Sequence, residues 1–145
     1  MNKAFTLLEL VFVILILGIL SSLSLSFINT TKDEVKILKL KMDYEMLSSA
    51  LALMRSQMRL KNLNFPEILD NAQNNQAKEK LFYCLNDCDY SLLDAPIYSD
   101  FKSWIKIGKN HYRFALNVKE MVEFVYDSKE GLLKCTGSSR CKDLI

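Results

Sequence analysis

Glu9 is the one charged residue between Phe5 and Thr31, set among leucines, isoleucines and valines. A carboxylate in such surroundings costs about 2.5 to 3.5 kcal/mol on bilayer-insertion scales and persists where it meets a partner. No neighbour in sequence offers one. Either Glu9 sits shallow, one turn from Phe5, or its partner comes from another chain. Four cysteines form the second reactive set, Cys84, Cys88, Cys135 and Cys141, and they allow three disulfide pairings. Cys135 and Cys141 flank the turn-rich Thr136-Gly137-Ser138-Ser139-Arg140. In a straight strand Cys84 and Cys88 would be about 13 Å apart, so bridging them requires a turn at Asn86-Asp87. The rival chemistry, a four-cysteine zinc site, fits the C-x3-C and C-x5-C spacings poorly, and no metal is expected. His111 is the sole histidine. With no recognisable nucleophile motif and no glycine-rich phosphate loop, neither an enzyme nor a cofactor is expected.

Glu9 belongs to a longer pattern. Lys3-Ala4-Phe5-Thr6-Leu7-Leu8-Glu9-Leu10, followed by Val11 to Leu17 and Gly18-Ile19-Leu20, resembles the N-terminal processing signal of type IV pilins and of the pseudopilins of type II secretion and DNA-uptake machines. The resemblance implies that a prepilin peptidase cuts between Ala4 and Phe5 on the cytoplasmic side and methylates the new Phe5 amine, and that Glu9 guides assembly. It also implies a disulfide-bounded C-terminal loop, Cys135 with Cys141; the sequence alone does not choose among the pairings, and two local bridges, each worth about 2 kcal/mol, are the expectation. One departure stands out. The family usually has glycine before the cut, where Ala4 adds a methyl group.

The element that must carry Glu9 is an apolar helix. Leu10 to Thr31 is free of charge, and Phe5 to Ile28 as a helix would be about 36 Å long, enough for a hydrocarbon core of about 30 Å. A secretory signal cut near Ser22-Leu23-Ser24 or Ser24-Leu25-Ser26 is the competing reading, against which stand the length of the apolar run and Glu9 itself. Lys32, Lys36, Lys39 and Lys41 would by loop charge place the following region in the cytoplasm. That vote is overridden, because long domains translocate regardless of charge, four cysteines suit an oxidising compartment, and the resemblance implies N-terminus in and domain out.

From Ile19 to Phe65 there is no proline or glycine. Ile37, Leu40, Tyr44, Leu47, Leu51, Met54 and Met58 recur every three or four residues, which predicts an amphipathic continuation of the helix ending near Leu63. A short second helix is expected from Asn64 to about Ala72, with Pro66 in its first turn. Strand patterns follow at Leu81–Leu85, Trp104–Ile107, His111–Leu116, Val122–Tyr126 and Leu132–Cys135, the last four joined by hairpin-sized connectors. Tyr112, Phe114 and Leu116, and then Val122, Phe124 and Tyr126, are expected to face one core under the helix. His111 is expected on the strand surface and Trp104 in core or rim.

The fold expected is therefore α+β: a long N-terminal helix, membrane-spanning in its first half, packed on a C-terminal antiparallel meander, the lollipop arrangement of pilin-like proteins. Its parts are a leader (1–4), a transmembrane and assembly helix (5–28), an amphipathic continuation (29–63) and a small extracytoplasmic head (64–145). Nineteen basic against seventeen acidic residues give a net charge of +2, which implies no polyanion partner. Lys102, Lys106, Lys109 and Arg113 are expected on a solvated face, contact with DNA being the alternative. The function expected is a structural subunit of a type IV pilus or of a secretion or DNA-uptake pseudopilus, anchored in the bacterial inner membrane before assembly. Its partners would be other pilin-like subunits, the prepilin peptidase and the inner-membrane assembly platform. The alternative is a permanently anchored extracytoplasmic binding or adhesive protein.

Overall fold

The computed structural model describes residues 7–84 and 90–144, without the side chains of residues 23–31 and 143. The chain forms two compact units, Met1–Lys36 and Ile37–Ile145. Helix α1, Leu7–Leu60, contributes to both. In the first unit its described side chains, residues 7–22 and 32–36, are mostly exposed, and those from Leu7 to Leu20 are apolar on nearly every side. A helix greasy all round needs a membrane or other helices to cover it. Among the described residues no helix is long and apolar enough to cross a membrane. The apolar stretch whose side chains are described, Leu7 to Ser22, accounts for about 24 Å of helix; of the rest of the expected span, Phe5 and Thr6 lie outside the described residues, and residues 23–28 are helical, without described side chains.

The second unit is a helix on a sheet. Leu40, Leu47, Leu51, Met54 and Met58 are buried, with Ile37 and Tyr44 packed beside them, so the three-and-four spacing does set the buried face. The helix ends at Leu60, three residues before the expected stop. Asn62 takes a left-handed conformation (φ 53°), its N–H donates to the Arg59 carbonyl, and the Leu63 N–H donates to the Met58 carbonyl at 2.9 Å. This pair of bonds is the Schellman termination, with asparagine in the place glycine usually fills.

Strands β1 (Lys80–Leu81) and β2 (Ile97–Tyr98) form a short antiparallel pair. Strands β3 (Trp104–Gly108), β4 (His111–Ala115), β5 (Met121–Asp127) and β6 (Leu132–Thr136) form an antiparallel sheet in the order β3-β4-β5-β6. Each of the four expected meander strands is present to within about two residues at either end. Trp104, Tyr112, Phe114, Leu116, Val122, Phe124 and Tyr126 all lie in the core. Trp104 is its hub: its ring packs against Phe82, Phe114 and Phe124, and its indole N–H donates to Asp43 of α1 at 2.9 Å.

Two expectations fail. No helix forms between Asn64 and Ala72; that stretch is irregular chain. Its backbone groups are taken by side chains instead: the Pro66 carbonyl accepts from the Tyr126 hydroxyl, the Glu67 carbonyl from Asn110, and the Ala72 N–H donates to Asp70 two residues earlier, a local bond that competes with helix formation. The strand expected at Leu81–Leu85 stops at Leu81, because Phe82 adopts φ 56° and turns its ring into the core. It pairs with β2, a two-residue strand too short to leave a periodic pattern.

Candidate processing and assembly site

Ala4 and Phe5 lie outside the described residues. Glu9 stands in the first turn of α1. Around it Leu7 and Leu8 are each 81% exposed, and Leu10, Val11 and Phe12 are open as well. The geometry is thus an acidic group on a bare apolar helix, near its N-terminal end. Such a group can match a cation presented by another helix packed alongside.

Residues 1–25 match the family model of the prokaryotic N-terminal methylation motif. The chain carries a prepilin-type signal. This is the cleavage and methylation signal of type IV pilins and pseudopilins, and it points to a structural, pilin-like protein processed by prepilin peptidase and assembled with other pilin subunits. No curated protein and no solved structure matches the chain. Behind the prepilin-type signal the fold is α+β, a long N-terminal helix followed by a C-terminal antiparallel sheet of four strands.

The cysteines lie far along the chain from that signal. Cys135, at the end of β6, is joined to Cys141, with 5.5 Å between their α-carbons. Cys84 is also disulfide-bonded, while Cys88 lies outside the described residues. Bonding of Cys84, Cys135 and Cys141 removes them as thiolate ligands for the zinc alternative. Within the Cys135–Cys141 loop Ser138 opens a 3-10 turn, Ser139–Asp143, that runs past Cys141; the Ser138 hydroxyl accepts from the Arg140 N–H.

Of the four basic residues expected in solvent, Lys102 and Lys109 are exposed and Arg113 is half-buried against Glu123 at 3.0 Å. Lys106 is a correction: it is 5% exposed and enters the core. Its ammonium donates to Asp70 Oδ1 at 2.8 Å and to the Asp70 carbonyl at 3.0 Å. Asp70 Oδ2 accepts from the Tyr112 hydroxyl at 2.8 Å and from the Phe82 N–H at 2.9 Å. Burial first, and then the Asp70 charge, push the Tyr112 phenol well above the ordinary tyrosine range. A signal for Lys106 exists in the sequence, since it lies two residues from Trp104 on one strand and so shares its inward face. Asp70, 36 residues away, leaves no such trace. His111 is exposed on β4, as expected.

Proposed function

We propose that this chain is a subunit of a thin helical filament of the type IV pilus or pseudopilus class, held in the bacterial inner membrane by residues 5–28 until it is extracted. In this reading residues 1–4 are the leader, residues 29–63 carry the helix on to Leu60 and its termination, and residues 64–145 complete an extracytoplasmic head. The observation that carries it is the prepilin-type signal over residues 1–25. Cleavage between Ala4 and Phe5 creates a cationic amine at the end of an apolar helix, four residues from Glu9. When such helices stagger in a bundle, the amine of an incoming subunit meets the Glu9 of one already placed. In low dielectric an unmatched charge is costly, so the pair selects register more than it adds stability.

The test is intact-mass measurement of protein extracted from membranes of a host with a prepilin peptidase. Loss of residues 1–4 with a methylated Phe5 is expected. An uncut Met1, or a terminus near Ser24, would reject the filament reading in favour of an anchored binding protein or a secreted one.

A further inference from the structure

Of the exposed apolar side chains of the head, Phe101, Val118 and Met121 gather at one end of its sheet. Phe101 and Lys102 form the tip of the turn Asp100–Ser103, closed by the Ser103 N–H donating to the Asp100 carbonyl. The Ser103 carbonyl accepts from the Ala115 N–H, and Ala115 is the register partner of Met121. Between these strands Val118 and Lys119 form the tip of a second turn, where the Asn117 side chain accepts from the N–H groups of Lys119 and Glu120. Two turns of neighbouring strands therefore project side by side. Val118 is 94% exposed and Phe101 62%, with Met121 open beside them, and Lys102 and Lys119 are exposed. The one carboxylate at the base of the second turn, Glu120, is already matched by Arg140 at 2.8 Å.

This is also the end at which the chain enters the head. Trp104, one residue beyond the first turn, bonds Asp43 of α1, whereas the opposite end of the sheet meets the far end of the helix and the chain after it, through Tyr126 on Pro66 and Gly131 against Arg55 and Phe65. Lys39 and Lys41, exposed on α1, add positive charge at the entry end. Apolar tips flanked by lysines, with the Asp100 carboxylate of the first turn engaged by the Lys102 N–H at 3.2 Å, suit an interface with acyl chains below and anionic headgroups around.

We propose that Phe101, Val118 and Met121, with Lys102 and Lys119, form a docking surface for an anionic phospholipid bilayer. The inference rests on the proposed membrane anchoring of residues 5–28. Its ligand is the lipid surface itself, and each lysine in contact contributes about fivefold to the preference for anionic over neutral lipid.

The test uses the full chain with 13C-methyl methionine in nanodiscs of phosphatidylcholine, with or without phosphatidylglycerol, doped with a gadolinium headgroup lipid. Met121 should be strongly broadened in the anionic discs. Met54 and Met58 serve as internal references, Met58 being about 22 Å further along α1 than Asp43, and should keep their signals. Phe101→Asp with Val118→Asp should return Met121 to the level of Met58 while the buried methionines keep their shifts, and Lys119→Gln should reduce the anionic preference about fivefold. Equal broadening of Met121 and Met58 in the disc-bound chain overturns the docking surface and leaves the anchor standing. Protection of Met121 that grows with the number of chains per disc overturns it too, in favour of contact between copies. Failure of the chain to enter discs removes the anchoring reading, and the docking with it.

Discussion

Glu9 and Asp70 are both acidic residues in apolar surroundings, and they call for opposite experiments. Glu9 is exposed in the isolated chain, so Glu9→Ala should leave the protein stable and processed and reduce its entry into filaments, measured by cross-linking between subunits and in sheared fractions. Unimpaired assembly of the alanine variant would make Glu9 a shallow interfacial residue. Asp70 is fully buried, with Lys106, Tyr112 and two backbone N–H groups on its carboxylate. Asp70→Asn strands the Lys106 ammonium without its counter-charge and should cost about 3 to 5 kcal/mol in the unfolding free energy of the detergent-solubilised chain. Replacing Lys106 by methionine in the same variant should recover part of that loss, because the unpaired charge goes with it. The Glu9 pattern was legible in the sequence because it is local, a charge inside a run of apolar residues. The Asp70 cluster was not, since it joins residues 36 and 42 positions apart, and no local spacing encodes that.

Among the elements, those with a repeating pattern were read correctly. The buried stripe of α1 and the alternation on β4 and β5 follow from periods of about 3.6 and 2, and the packing agrees with them residue by residue. Where a side chain competes for the backbone the reading failed: Pro66-Glu67-Ile68-Leu69-Asp70 looks like a helix start, yet Asp70 takes the N–H of Ala72 and Phe82 for itself. The β5–β6 connector rests on one glycine. Gly131 has φ +66°, and a β-carbon there would come within 2.9 Å of the Arg55 side chain and 3.2 Å of the Phe65 ring. Gly131→Ala should therefore destabilise by about 1 to 3 kcal/mol, through the left-handed backbone and the crowding together, read as a lowered urea midpoint at unchanged slope. The hook after β6 is closed by covalent chemistry, and paired Cys135→Ser and Cys141→Ser substitution should cost about 2 kcal/mol.

For the molecule as a whole, alkaline pH is a direct probe of the core. The Tyr112 phenol is raised by burial and by Asp70, and Tyr126 is raised to about 12 by burial and by Asp127. A group whose folded pKa lies above its unfolded value contributes fully below the unfolded value, here 10.0, and loses that contribution as pH rises past it. Stability should hold to about pH 10 and then fall, with a shallower fall in Tyr112→Phe, seen in urea midpoints taken at rising pH. A wild-type slope no steeper than that of the phenylalanine variant would contradict the buried phenol.

On the proposed filament reading the strand edges matter, because such a subunit must polymerise in one way only. An unpaired sheet edge invites a neighbour's strand, and natural sheets blunt such edges by covering, shortening or charging them. Here the β3 edge is occupied by the preceding loop, where the Asn75 N–H donates to the Lys106 carbonyl at 2.8 Å. The β6 edge is five residues long, carries Lys134 held between Asp127 and Glu130, and ends at the covalent hook of Cys135. Neither rim of the sheet offers a long bare ladder. Growth by strand addition, the route to amyloid-like aggregates, is disfavoured at the head, so in the proposed filament it is the helix that dictates how copies stack.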